Sequence, residues 1–419
     1  MFKSMAANTG WLPMPTLQGS RVKNCLARLA SLASLACVAI FLLSSAVAHA
    51  QQCESITSYG GNGNGTTNNS PALAAAFAAL PAHGGCIAFP AGRYLFSTTV
   101  TLTYPATAIY SVTLVGAGAD ATTLYWPASD GITINATGPQ NTAHVHDLTF
   151  STGSAGGYTG LTINNSSPLG TIFLSDVFRS TFRGDDGGQL TDYWSNGIYV
   201  AGQSNINFDS DEFFGPKSGL QGTGIVLNGN PSVSPYFGIV YNIAKCGFFW
   251  VGEGLVIGTY IQGITVTQTN FTNGWVGIYA LAGGTGLDEL AVTGGNQFNT
   301  TGNQIVIQQP LGQLIVNGNL FFVAPNNSGI FLDSTGAYAA QNTIVNNVFY
   351  GPGATVNSNG IYVAGSYPNT ILTGNTFLSL NVAVNLPGTS GWNVQANSYQ
   401  SVQTTVTPIG TNSVGVATQ

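Results

Sequence analysis

A short strand motif of Gly, aliphatic, any residue, aliphatic recurs along most of the chain. It appears at Gly131 to Ile134, Gly160 to Ile163, Gly197 to Val200, Gly224 to Leu227, Gly254 to Ile257, Gly277 to Ala280, Gly329 to Leu332 and Gly360 to Val363. Gln304 to Ile307 fills the one gap with Gln in place of Gly. Between these strands lies a second motif, Asn, any residue, aromatic, with an aliphatic three positions before the Asn. Val316, Asn319 and Phe321 form one copy, and Ile344, Asn347 and Phe349, then Leu372, Asn375 and Phe377, then Val394, Asn397 and Tyr399 form others. Asn296 with Phe298 fits after one extra Gly, and earlier turns replace the Asn, as in Phe208, Asp211, Phe213 and Ile243, Cys246, Phe248. Alternation of period two inside each strand sends one set of side chains to a core and the other outward.

The Gly strands recur at intervals of 23 to 37 residues, and a turn of three short strands with tight corners takes roughly 20. One motif repeated at a near-constant interval predicts stacked turns, with like residues about 4.8 Å apart along one axis. A sandwich also contains many short strands, but its turns would not repeat one motif in register. The expected fold is therefore all-β, a single-stranded right-handed parallel β-helix of about ten turns. Its repeats fall at residues 127–401, after an N-terminal cap and first turns at 51–126 and before a tail or cap at 402–419.

In this register Phe and aliphatics fill the interior, and stacked Asn side chains satisfy one another's amides at a corner. Asp211 and Cys246 share that inward position, so both are expected to be structural, Cys246 as a buried, inert thiol. The residues left pointing outward in the Gly strands are Tyr199, Val226, Val256, Tyr279, Val306, Phe331 and Tyr362. Such a ladder either stacks sugar rings or is covered by loops or by neighbouring subunits of a trimer.

Ahead of the repeat, Arg21, Lys23 and Arg28 precede an apolar run from Leu29 to Val47 that closes on Ala48, His49 and Ala50. This is the layout of a secretory signal peptide over residues 1–50, with Met5 or Met14 as alternative starts. Nothing charged follows the run to stop transfer, so the mature protein is expected to be secreted or extracellular, periplasmic or at the cell surface, and free of the membrane. Charged residues make up 6% of the chain, against roughly 25% in an average soluble domain. Loss of residues 1–50 leaves five basic residues against fifteen acidic ones, with no basic stripe for a phosphate backbone, so nucleic acid is not an expected partner. Cys25 and Cys37 leave with the leader, and Cys53 and Cys86 can pair in an oxidising compartment.

Of the twenty charged residues after residue 50, ten lie between Asp176 and Lys217. The same stretch holds the longest interval of the repeat, from Gly160 to Gly197, so a loop bearing Asp185, Asp186, Asp192 and Trp194 should overhang the strand at Gly197. Glycoside hydrolysis needs two carboxyl groups flanking the scissile bond, one protonated and one ionised, and an acidic loop beside an aromatic platform suits it. Asp209 and Glu212, directed away from the inward Asp211, join the candidate catalytic set. Glu253 completes it, two turns beyond Gly197 and so about 10 Å along the axis from Asp192. The blander readings are a solvated loop, a calcium ion holding that loop in shape, and a plain surface role for Glu253. Arg179 and Arg183 either bind a uronate carboxylate or pair with nearby acids. Trp194, Tyr199 and Tyr279 are the candidate sugar-stacking residues. His144, His146 and Asp147 form an outward cluster, with Val145 and Leu148 inward, but the His pair has no evident third ligand and no metal is assigned to it.

Three segments, SYGGNGNGTTNNSPALAAAFAAL, GGCIAFPAGRYLF and VTLVGAGADATTLYW, lie in this order within residues 58–126. They resemble the N-terminal region of the pectate-lyase-superfamily, or rhamnogalacturonase/epimerase-like, β-helix proteins, a group that includes phage tailspike enzymes. Where that family carries acidic residues in the first segment, this chain has Asn64, Asn68 and Asn69. Asn69 or Ser70 can cap a helix from Pro71 to Leu80 that plugs the open end of the solenoid, since Asn caps about as well as Asp. The resemblance implies polysaccharide partners without naming a reaction. Polygalacturonases of the same superfamily place Asp and His just before the Gly strands. Here those places hold Asp130, Asn196, Thr223 and Glu253, and no His follows His146.

The reading is a secreted polysaccharide-active protein, a glycoside hydrolase ahead of a lyase or epimerase, acting as a monomer or homotrimer with no cofactor beyond the calcium alternative. A lyase needs a base and a cation for the uronate, and basic residues are few. The rival is a non-catalytic adhesin, tail fibre or carbohydrate-binding β-helix, distinguished by whether two carboxyls stand within roughly 5 to 10 Å in an open groove.

Overall fold

The computed structural model describes residues 53–106, 109–167, 173–186, 191–229, 238–283, 287–333, 341–365, 367–387 and 391–407, so the leader lies outside the described residues. Among the described residues the chain visits three parallel sheets in rotation, two of 13 strands and one of 12. Sheet 1 runs from Glu54–Ser55 to Trp392–Gln395, sheet 2 from Asn64–Asn68 to Ser398–Gln400, and sheet 3 from Val100–Thr103 to Thr404–Val406. Each strand pairs with strands of the turns before and after it, which makes the molecule a right-handed parallel β-helix. It has more turns than the expected ten, because the first ones precede the Gly motif and a last strand follows residue 401. No helix among the described residues is long and apolar enough to cross a membrane.

The two motifs explain each other. In sheet 2 the aromatic positions Phe150, Phe182, Phe213, Phe248, Phe271, Phe298, Phe321, Phe349, Phe377 and Tyr399 stack inside the helix at 4.6–5.5 Å between ring centroids. That is the spacing the strands impose. A Cβ at Gly254 would lie 2.5 Å from the Phe271 ring and 2.6 Å from the Gly277 carbonyl oxygen, so the motif opens on Gly where ring and backbone leave no room for a side chain. At the corner between sheets 1 and 2, Asn296, Asn319, Asn347 and Asn375 each donate from Nδ2 to the Oδ1 of the next Asn, ending on Asn397, at 2.8–3.0 Å.

At the N-terminus α1 (Ser70–Ala78) buries Ala72, Leu73 and Ala76 against the core. Its N-cap residue Asn69 makes no capping bond. Instead the side chain is fully buried and ties Asn62, Thr67 and Leu95 together. Asn68 accepts from the Ser70 and Ser97 amides through Oδ1. Cys53, immediately before the strand Glu54–Ser55, and Cys86, on the neighbouring strand Gly84–Phe89, are joined by a disulfide with Cα atoms 4.5 Å apart. Cys246 is free and buried, and burial pushes its thiol well up.

Candidate functional site

Sheet 2 presents one outward column whose members follow from register: Tyr125, Ser151 and Arg183 on successive strands, then Phe214 and Phe249 on the next two. The strand Thr181–Gly184 leads into the loop that carries Asp185, Asp186 and Asp192. That loop turns back tightly, because a Cβ on Gly184 would sit 2.0 Å from the Asp192 carbonyl oxygen. Backbone bonds from Asp185 N to Thr152 O at 2.8 Å and from Tyr193 N to Ser154 O at 2.9 Å fasten it to the preceding turn.

Asp185 is clamped by Arg93, reaching across three turns, with Nη1 donating to Oδ1 at 2.7 Å and Nη2 to Oδ2 at 2.5 Å. Ser151 Oγ adds a third bond at 3.2 Å. The same guanidinium lies 3.9 Å over the Tyr125 ring, so one cation both pairs the acid and stacks on the aromatic. Asp186 accepts through Oδ2 from the Thr191 amide, from Thr191 Oγ1 at 2.8 Å and from the Asp192 amide at 3.2 Å, which closes the loop. The Asp192 carboxylate has no hydrogen-bond partner among the described residues. Partial burial, then the charges of Asp186 and Asp185, push its carboxyl up. Arg183 has no ion-pair partner among the described residues.

Trp194, expected as an aromatic platform for this loop, is instead core. It is 3% exposed, packs edge-on to Trp126 at 6.2 Å, and its Nε1 donates to the Phe150 carbonyl at 3.1 Å. The half-exposed aromatics of this column and of the turn that ends it are Tyr125, Phe214, Phe249 and Trp250, with Phe214 and Phe249 stacked at 5.2 Å and Trp250 6.1 Å from Phe249. Their signal in the sequence was the paired aromatics of Glu212–Phe214 and Gly247–Phe249, where one ring enters the core and the next faces out. Glu212 is exposed, two positions before Phe214 on the same face.

The remaining acids go elsewhere. Glu253 opens a sheet 3 strand, accepts from Thr223 Oγ1 at 3.2 Å, and has its carboxyl pushed up by burial against that bond. Its charge acts on Tyr279, whose hydroxyl donates to Gln308 Oε1 at 2.7 Å. Asp192 is perturbed by Asp186 and Asp185 and not by Glu253. The sheet 3 ladder of Tyr199, Val226, Val256, Tyr279, Val306, Phe331 and Tyr362 is in register as a single column, with Val256 and Val306 buried. An open depression of about 420 Å³ lies beside Tyr199 and Asn228.

On sheet 1, Asp209 pairs with Lys245 at 3.3 Å, and Arg179 pairs with Asp147 through two bonds of 2.8 Å. Asp147 therefore turns away from the His pair. Asp176 comes to the His pair instead, in register with His144, and contacts both rings. Burial opposes the charge on Asp176, and the His144 and His146 contacts outweigh it, holding the carboxyl well below the usual range. Asp211 is fully buried, accepts from the Ser180 amide at 2.8 Å, and has its carboxyl pushed well up by burial.

The N-terminal residues 54–136 match the sequence model of the rhamnogalacturonase A/epimerase, pectate lyase-like family. No curated protein sequence matches the chain. The catalytic unit of a GH87 α-1,3-glucanase from Streptomyces thermodiastaticus superposes with a TM-score of 0.57 at 15% identity, over 87% of this chain and 68% of that one. Bacteriophage CBA120 tailspike protein 3 superposes with a TM-score of 0.50 at 13% identity, over 88% and 62%. The N-terminal fragment of bacteriophage Phi29 gene product 12 does so with a TM-score of 0.50 at 11% identity, over 91% and 68%. The fold is thus a pectate-lyase-like parallel β-helix, and at these identities the likeness extends to the fold alone.

Proposed function

We propose that this protein binds a polysaccharide along the outer face of sheet 2 and hydrolyses it, with Asp192 as proton donor and Asp185 as the partner carboxylate. The observation that carries the reading is the convergence of three acids, Arg93 and Tyr125 at one end of a half-exposed aromatic column. Glycoside hydrolysis requires two carboxyl groups of opposite protonation, and unequal surroundings create them. Burial and neighbouring negative charge favour a proton on Asp192, while the Arg93 clamp supplies Asp185 with its counter-charge. Phe214, Phe249 and Trp250 offer apolar ring faces on which sugar rings stack. The names of the matched family and of the α-1,3-glucanase support a polysaccharide as the substrate class. A polymeric substrate fits work outside the cell, and a mature N-terminus starting at Gln51 would agree.

The test is a polysaccharide panel read for reducing ends, for unsaturated-sugar absorbance, and for binding. Asp192→Asn should lower reducing-end release about 10²- to 10⁴-fold with binding retained. New absorbance in place of reducing ends would mean elimination and would sink the hydrolase reading. A second reading, a non-catalytic carbohydrate-binding β-helix, is favoured by the existing duties of Asp185, which accepts three side-chain bonds, and of Asp186, which closes the loop. Binding without product across the panel would select it.

A further inference from the structure

Away from the sheet 2 face, the outer surface of sheet 1 brings together two imidazoles and a carboxylate. His144 and His146 lie two residues apart on the strand Gln140–His146, so the pleat points both outward while Val145 enters the core. The next turn's strand Ser175–Phe178 lays Asp176 directly beside His144 and Phe178 beside His146. His144 Nδ1, His146 Nε2 and one carboxylate oxygen of Asp176 all lie within 4.8 Å of one another. His146 Nε2 stands 3.1 Å from Asp176 Oδ1, and His144 Nδ1 contacts that same oxygen.

The hydrogen bonding around these atoms is incomplete in an informative way. Thr142 Oγ1 donates to Ser111 Oγ at 2.8 Å, which leaves its lone pairs to accept from His144 Nε2 at 3.2 Å. That contact turns the ring so that Nδ1 faces the Asp176 carboxylate oxygen. His146 Nε2, buried and without a hydrogen bond of acceptable geometry, converges on the same oxygen. Three potential ligand atoms thus converge where a single cation could take all of them. Ligands bound to one metal at about 2.0–2.1 Å stand roughly 2.9–3.4 Å apart when adjacent, which matches the His146 to Asp176 separation, whereas the His144 to Asp176 contact is closer and has to widen on binding. The edge of the Phe178 ring against His146, at 6.0 Å between centroids, holds that imidazole in place.

We propose that His144, His146 and Asp176 form a binding site for a divalent first-row transition metal ion, Zn²⁺ being the probe of choice, with at least one coordination position open to solvent. Two imidazole nitrogens exclude the all-oxygen shells that calcium and magnesium prefer. Three protein ligands are the number found in open zinc sites, which keep a further position for water or for a ligand oxygen; closed structural sites use four. The three side chains are 24–28% exposed, so the open position faces outward. Thr142 is the positioning residue, holding the His144 ring with Nδ1 toward the metal. The site is spatially independent of the sheet 2 acids, and its success or failure says nothing about hydrolysis.

The experiment uses the full mature chain freed of metal with a chelator, then titrated with Zn²⁺ by calorimetry and with Co²⁺ by visible absorption. One equivalent should bind, Co²⁺ should show bands of nitrogen and oxygen ligation that Zn²⁺ abolishes, and Zn²⁺ should raise the melting temperature. His144→Ala and Asp176→Asn should each weaken binding at least about 100-fold, and Thr142→Val about 10-fold, as loss of an orienting partner does. His83→Ala, at a separate loop, should bind as the wild type does. Absence of stoichiometric Zn²⁺ binding by the wild-type chain overturns the proposal whatever the variants do, and so does binding that survives in folded His144→Ala. Should that variant fail to fold, wild-type Co²⁺ bands without nitrogen ligation overturn it as well.

Discussion

The corner between sheets 1 and 2 can be compared with itself at its two ends. In the C-terminal turns it is a run of like residues, Asn296, Asn319, Asn347, Asn375 and Asn397, and Asn347 both accepts from Asn319 Nδ2 and donates to Asn375 Oδ1 at 2.9 and 3.0 Å. Three turns before Asn296 the same column holds Asp211, and between them Cys246 and Thr269. Asp211 can accept but not donate when ionised, and its Oδ2 has no partner. A repeating amide satisfies every buried polar atom in one step, whereas a single exception leaves an acid whose burial favours the neutral form. The outer surface divides in the same way. The acids, arginines and histidines of the two candidate sites gather on the early turns, beside the irregular stretch of the corner, and the regular turns carry almost none.

That contrast can be broken deliberately. The largest effect should come from Asn347→Asp, which places an unpaired carboxylate in the regular ladder and removes donors to Val316 O and Asn375 Oδ1. At neutral pH it should cost on the order of 4 kcal/mol, read as a shift in urea midpoint, and the cost should shrink as the pH falls toward about 4 and the new acid protonates. The reverse change, Asp211→Asn, should stabilise by about 1–3 kcal/mol at neutral pH. Since the native carboxyl is raised above its unfolded value of about 3.9, the wild type is disfavoured progressively as pH rises through the native value. The gain should therefore vanish below pH about 4. On the outer face, Phe214→Ala and Trp250→Ala should each weaken polysaccharide binding about threefold to tenfold in a pull-down or calorimetric assay, with the fold intact. Smallest is Glu253→Gln. Its half-buried carboxyl is also raised, so the substitution should stabilise by a few tenths of a kcal/mol at pH 8 and by nothing at pH 4.

Much of the fold was legible because a β-helix writes its geometry as a repeat. The Phe stack, the Gly that makes room for it and the Asn ladder each recur once per turn, so inward and outward positions could be assigned from spacing, including the buried places of Asp211 and Cys246. The first turns were harder to count, since they lack the Gly motif and carry a disulfide and α1 in its place. The candidate site was legible as a place more than as a set of partners. The acid-rich stretch marked the loop of Asp185, Asp186 and Asp192, but it also gathered Asp209 and Arg179, which the chain's rotation through three sheets carries to another face.

Arg93 reaches Asp185 across 92 residues, and Asp176 reaches His144 across 32. Neither separation is a motif, because the length of each intervening turn depends on its loops. Trp194 shows the same limit within a single loop, where one tight approach at Gly184 and one bond to Phe150 O decide whether a ring faces the sugar side or the core. The sequence by itself determined the periodic features, since identical neighbours stacked about 4.8 Å apart interact the same way in every turn. Tertiary structure alone decided which charges meet, because an ion pair or a metal ligand set depends on the lateral register of loops of unequal length, and a local pattern carries no record of that register.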